Sequence, residues 1–215
     1  MFVIKKTMRY FLLSLILLAF ATISSCKKKE LKFTIKGNVS ALNIGGNLEN
    51  VNIKVYTQSL GDASQNLRGQ TTTDASGNYK LDIERDKYEK IIIRLSKTNY
   101  FTINKTYSFD DFTTANDNEL NYKMSPQSWT KFVLKNNAPL QDDELKIQKI
   151  GGKTDCEECC EHGFYFFHGD IDTSFICAND GGTYMKFHYW INESDHVFDS
   201  VYNVPFETIT YTISY

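Results

Sequence analysis

Four cysteines in the second half of the chain are close enough along the sequence to act together. Cys156, Cys159 and Cys160 fall within TDCEECCEHG, Thr154–Gly163, and Cys177 follows downstream. Three chemistries use such residues. A redox centre would use the Cys-x-x-Cys of Cys156 and Cys159, but it needs thiols whose ionisation is favoured by nearby cations or a helix N-terminus. Here Asp155, Glu157, Glu158 and Glu161 surround them, and negative charge favours the neutral thiol. A zinc site would take Cys156 and Cys159 or Cys160 with His162, His168 or Cys177. These are correct ligand types, but no second Cys-x-x-Cys completes the set. Disulfides are the third, and being neutral they are indifferent to acidic neighbours. If FYFF-HG-DIDT forms a hairpin with His168-Gly169 at its tip, the register that opposes Phe167 to Asp170 also opposes Cys160 to Cys177. Such partners have Cα atoms ~4.5 Å apart, within disulfide reach. Cys156 and Cys159 would then form a local bridge. The expectation is a disulfide staple without metal or cofactor, with zinc or thiol chemistry as the alternative.

The N-terminus bears on that choice by setting the compartment. Lys5, Lys6 and Arg9 precede an uncharged apolar run, Phe11 to Ile23. It is shorter than the ~20 residues of a membrane span and has the form of a secretory signal. Ile23-Ser24-Ser25-Cys26 then resembles a bacterial lipobox. In that class of signal, cleavage precedes the cysteine, which becomes the lipid-bearing N-terminus. The resemblance implies a signal peptide over 1–25, a tether over 26–30 and a membrane partner reached through lipid on Cys26. The expected site is the cell envelope, at the outer membrane, where disulfides persist. Loss of residues 1–25 removes three basic residues and no acidic one from totals of 24 and 26, leaving a net charge of −5. No clustered basic face of the kind nucleic acids require is present.

The elements that must position these cysteines read as strands. FTIKGNV, VNIKV, IIIRLS, MKFHYWI and ITYTISY are rich in β-branched and aromatic residues, and most of them alternate apolar and polar positions, the signature of half-buried strands. Clusters of Asn, Gly, Asp and Ser separate them. The expected class is all-β, with two consecutive β-sandwich-like domains over 31–125 and 126–215. Pro126, in Met124–Ser128, is expected to stop strand pairing between them. The one helix candidate is Leu140–Ile150, with its acids first and lysines last as a helix dipole prefers. A loop and an edge strand are the alternative.

TTTDASGNYKL, Thr71–Leu81, reads as strand, tight turn, strand. Asp74 is placed to accept backbone N–H bonds, and Gly77 to take the positive φ that closes the turn. With Gly37-x-Val39, LENVNIKVY at Leu48–Tyr56 and Tyr100, the segment from Leu31 to Met124 resembles the carboxypeptidase regulatory-like domain. That resemblance implies a transthyretin-like, seven-stranded sandwich that presents or supports rather than catalyses. The hydrolases of the wider fold need histidines in this sandwich and a C-terminal Tyr-Arg-Gly-Ser. This half has no histidine and the chain ends Thr-Ile-Ser-Tyr. Metallocarboxypeptidases need His-x-x-Glu, and none of His162, His168, His188 or His196 has Glu three residues on.

Smaller features complete the reading. Asp170 and Asp172 beside His168 form a polar hairpin tip, and Gln141–Glu144 is an acidic loop lacking the spacing of a calcium site. Trp190 falls on the polar face of its strand with Lys186 and His188. Trp190 and His188 are therefore the candidate ligand surface. The expected function is non-enzymatic binding or assembly beside the membrane, with an envelope protein or a glycan as partner. An uptake-system module for carbohydrate or peptide is the alternative. Cys26→Ala is expected to leave the protein unlipidated, and a variant that still partitions with membranes in detergent would refute the anchor.

Overall fold

A computed structural model describes residues 31–215. The expected signal peptide, the expected tether and Cys26 lie outside the described residues. The described chain is all-β, with no α-helix among these residues and one 3-10 turn at Phe109–Asp111.

The first half packs two sheets on one core. In one sheet β4 (Asn78–Glu84), β1 (Lys32–Ala41) and β7 (Asn118–Glu119) lie in that order, and β8 (Tyr122–Met124) also pairs with β1. The facing sheet runs β3 (Asn66–Thr72), β2 (Asn52–Gln58), β5 (Lys90–Ser96) and β6 (Ile103–Ser108). Period-two alternation turns Phe33 and Ile35 of β1, Ile53 and Val55 of β2, Leu81 and Ile83 of β4 and Ile91, Ile93 and Leu95 of β5 into the space between. Burial of these side chains is the main force holding the layers, at roughly 1.5–3 kcal/mol for each large aliphatic. The Asp74 turn forms as its residues dictate. Asp74 Oδ1 accepts from the N–H groups of Ser76 and Asn78 at 2.9 and 2.8 Å, and Gly77 sits at φ 75°. The turn nevertheless does not close a hairpin. β3 pairs with β2 and β4 with β1, so it carries the chain from one sheet to the other.

The second half repeats the layering. One sheet runs β11 (Phe164–His168), β10 (Glu144–Gly151), β13 (Thr183–Ile191) and β14 (Asp195–Asn203). The other runs β12 (Asp172–Asp180), β9 (Gln127–Lys135) and β15 (Thr208–Ser214). Phe132, Leu134, Leu145, Ile147, Met185, Phe187 and Ile213 fill the core. A buried polar chain crosses it. Asn179 Nδ2 donates to Asn203 Oδ1 at 2.8 Å, and Asn203 Nδ2 to Thr130 Oγ1 at 2.9 Å. These bonds join β12, β14 and β9 across the two layers, which makes the polar interior a device for register rather than a cost.

Three sequence expectations are corrected here. Leu140–Ile150 is not helical. It is a loop followed by β10, and β10 is an interior strand between β11 and β13, not an edge. Leu145 and Ile147 alternate into the core with period two, which outweighs the dipole-like order of charges. The Phe164–Thr173 hairpin does not form either, because β11 pairs with β10 while β12 pairs with β9. Finally, Pro126 does not stop pairing. It bridges Tyr100, and its carbonyl accepts from the Gly181 N–H at 2.8 Å. Proline lacks only the donor, so its acceptor remains free to bond. The ring contact of Tyr100 with Phe206, at 5.4 Å, lies beside the same junction.

Gly37 marks the tightest place in the first half. Between the β7 and β8 pairings of β1, the Leu120 carbonyl turns in and accepts from the Tyr79 hydroxyl at 2.7 Å. A Cβ added at Gly37 would lie 1.8 Å from the Leu120 oxygen. Gly37→Ala is therefore expected to cost at least about 2 kcal/mol, read as a lower urea midpoint. An unchanged midpoint would show that this approach is not tight.

Candidate functional site

The cysteine segment is built from the interior outward. Residues 152–163 join β10 to β11 without regular structure. Inside this loop lies Lys149, buried among strands, whose ammonium donates to the carbonyls of Lys153 and, at 2.7 Å, Cys160. Burial pushes Lys149 down to about 8, opposed by the charge of Asp180. Lys153 pairs with Asp155 at 2.6 Å, and its own N–H donates to Asn179 Oδ1 at 2.7 Å. The sulfurs are joined as Cys156–Cys159 and Cys160–Cys177, each with Cα atoms 5.1 Å apart.

The second of these bonds does not lie across a hairpin ladder. It joins the loop before β11 to β12, and the Ala178 N–H donates to the Glu158 carbonyl at 2.9 Å alongside it. Zinc ligation would need thiolates that these bonds remove. Among the described residues, no three His, Cys, Asp or Glu side chains are grouped to hold a metal. The acidic loop has a different task. Asp143 accepts from the Leu140 N–H and from Asn136 and Asn192, at 2.8, 2.8 and 3.0 Å. Those donors, Leu140 foremost, hold its carboxyl below the usual range. His168 approaches Glu144, with Nδ1 3.6 Å from Oε2.

The candidate surface is the outer face of the β11-β10-β13-β14 sheet. Strand register sets side chains in rows across it. One row is Phe166, Lys146, Trp190 and His196, and the next is Phe164, Gln148, His188 and Phe198. Four strands span about 14 Å at the usual spacing. Trp190 and His188 therefore stand where the sequence placed them, on the outward face, and the structure adds Phe164, Phe166, His196 and Phe198. Further along the same face Tyr184 meets Tyr202, ring centroids 5.1 Å apart.

Trp190 does not offer a free ring. His196 stacks on it at 4.7 Å with planes 3° apart, and the Lys146 ammonium lies 4.8 Å from its centroid. Since β10 and β14 flank β13 on opposite sides, both π-faces are occupied. His196 Nε2 and His188 Nδ1 are 2.7 Å apart, a bond in which one ring donates and the other accepts. Phe198 meets His188 edge to face at 5.0 Å. Phe164, Phe166 and Phe198 of these rows are 51%, 53% and 58% exposed. Trp129 is elsewhere, on the other sheet, with its indole N–H 3.4 Å from Glu158 Oε2 above an open cleft with Ile176 and Thr208. The alternation of FYFF and HVF contained the signal for Phe164, Phe166, His196 and Phe198. Only register joins them to Trp190.

No protein family matches the sequence, and no curated protein matches it. Solved structures with some likeness include the Bacillus anthracis TIE protein, at 13% identity and TM-score 0.38, aligned over 86% of this chain and 34% of that one. This chain thus spans about a third of that protein's length. The minor pilin GBS52 of Streptococcus agalactiae aligns at 12% identity and TM-score 0.38, over 85% of this chain and 94% of that one. The shaft pilin SpaA of Lactobacillus rhamnosus GG aligns at 10% and 0.36, over 85% and 97%. Likenesses at these TM-scores carry no function over to this chain.

Loss of the Cys160–Cys177 bond, which closes a separation of 17 residues, is expected to cost about 3 kcal/mol by the loop-entropy account. The Cys156–Cys159 bond spans only 3 residues, and its loss is expected to cost less. Denaturant melts of the two double-serine variants compare them, and equal losses would contradict the assignment.

Proposed function

We propose that this chain is a lipid-anchored, non-enzymatic protein of the bacterial cell envelope, with a transthyretin-like first half, and that it acts in binding or assembly. Its partner in this reading is an envelope protein, docked on the aromatic face of the β11-β10-β13-β14 sheet. One observation supports the reading above the others. Phe164, Phe166 and Phe198 are each more than half exposed on one continuous face, with Tyr184 and Tyr202 at its end. A folded chain gains nothing by leaving so much aromatic surface in water, and patches of this kind mark interaction sites. Aromatic residues with few charges are the composition of a protein–protein interface core.

The occupied faces of Trp190 also bear on ligand class. A sugar ring binds a tryptophan by laying its C–H groups on the open π-face, and here Lys146 and His196 already fill that place. Trp190 instead braces the row from which the phenylalanines project. A protein side chain needs only apolar area and shape, which the phenylalanines supply.

A photocrosslinker at Ser200, beside Phe198 on this face, is expected to trap one dominant envelope protein in intact cells. Phe164→Ala with Phe198→Ala is expected to weaken binding of that protein by roughly a hundredfold, from about 1.5 kcal/mol for each ring, with the melting temperature unchanged. Undiminished binding would refute the docking face. Specific retention on cell-wall polysaccharide, with no protein trapped, would transfer the site to a glycan.

A further inference from the structure

The edge strand β15 has features that edge strands ordinarily avoid. It pairs with β9 in parallel without a break, from Thr208 opposite Trp129 to Ser214 opposite Lys135. No described strand pairs with its other side. Edges are normally blunted by charge, proline, bulges or shortness, because an open row of N–H and C=O groups recruits another strand. The other edges of this chain follow that rule. β12 carries Asp172 and Asp180, β14 carries Asp199, β4 carries Lys80 and Asp82, β6 carries Lys105, and β3 carries Arg68 and a register shift. β11 is five residues long and ends on His168. β15, TITYTIS, has no charge, no proline, no glycine and no bulge.

Its backbone is also correctly phased. The Trp129 N–H donates to the Glu207 carbonyl, and the Tyr215 N–H to the Lys135 carbonyl. Odd-numbered residues therefore turn their backbone groups toward β9. By alternation, Thr208, Thr210, Thr212 and Ser214 turn theirs toward the open side, and these four are exposed.

The strand reads almost the same in both directions about Tyr211. We infer that β15 is a homodimer seam, in which two copies of this chain pair their β15 strands antiparallel about a twofold axis through Tyr211. That register sets Thr208 opposite Ser214 of the second copy and Thr210 opposite Thr212. All four are residues with outward backbone groups, so each donates one bond and accepts one, in the closely spaced pairs of an antiparallel ladder. Hydroxyl side chains face hydroxyl side chains, a favourable cross-strand pairing. On the opposite face Ile209 meets Ile213, and Tyr211 meets its own equivalent. A twofold interface must be complementary to itself, and this sequence satisfies that at every position without opposing like charges. Two three-stranded sheets become one of six. The inference is independent of the aromatic face, which lies on the other sheet.

The test uses the full-length chain extracted in detergent, with protein mass read by light scattering. The wild type is expected at twice the monomer mass. Thr210→Lys with Thr212→Lys is expected to run as a folded monomer with an unchanged circular-dichroism spectrum, since both side chains project into solvent. Thr210→Glu with Thr212→Glu is expected to do the same. Mixing the lysine and glutamate variants is expected to restore the dimer mass, because each lysine then faces a glutamate. A monomeric wild type overturns the seam, as does a charged variant that keeps the dimer mass alone or a mixture that stays monomeric.

Discussion

The Cys160–Cys177 bond is the constraint on which the second half of the molecule turns. β10 and β12 belong to different sheets, and the connection leaving β10 has no ladder of its own to follow. The bond fixes that connection to β12 four residues before β11 begins, while Lys149 holds its inner side through two carbonyls. An ammonium buried there has lost most of its water, and the carbonyls replace part of what was lost. Covalent fixation from above and hydrogen bonding from below place the first residue of β11. The acids of the loop project around a neutral sulfur pair and have no thiolate to oppose.

From that fixed start the aromatic face follows by register. Phe164 and Phe166 enter on β11, Lys146 and Gln148 lie beside them on β10, and Trp190 and His188 come next on β13. Lys146, Trp190 and His196 then stack as a single layered row, which stiffens the middle of the face. Such stiffness limits the entropy lost when a partner binds. The face and the β15 edge belong to different sheets, so occupation of one leaves the other open.

Much of the class was legible in the sequence, and the reason is period. Alternation in FTIKGNV, MKFHYWI and ITYTISY tells which side chains are inside, and the same alternation revealed Trp190 and His188 as outward. It does not tell which strand lies beside which. That gap produced the hairpin at His168-Gly169, since consecutive strands in a sandwich often change sheets. The Cys160–Cys177 pairing was expected from a hairpin register that does not form; the same two residues are joined, but from the loop before β11 to β12. In Leu140–Ile150 the helix-like order of charges competed with a period of two, and burial of Leu145 and Ile147 decided between them. The role of Lys149 left no trace in composition, because a lysine among strands reads as surface until the loop over it is known.

The parallel ladder of β9 and β15 has a consequence for how the chain reaches this state. Its partners are about as far apart as Ser128 and Glu207, 79 positions. Phe132 and Leu134 cannot be covered on that side until the whole intervening stretch has emerged. Such distant closure is slow compared with local pairing. The second core therefore closes late, only once β15 has docked on β9.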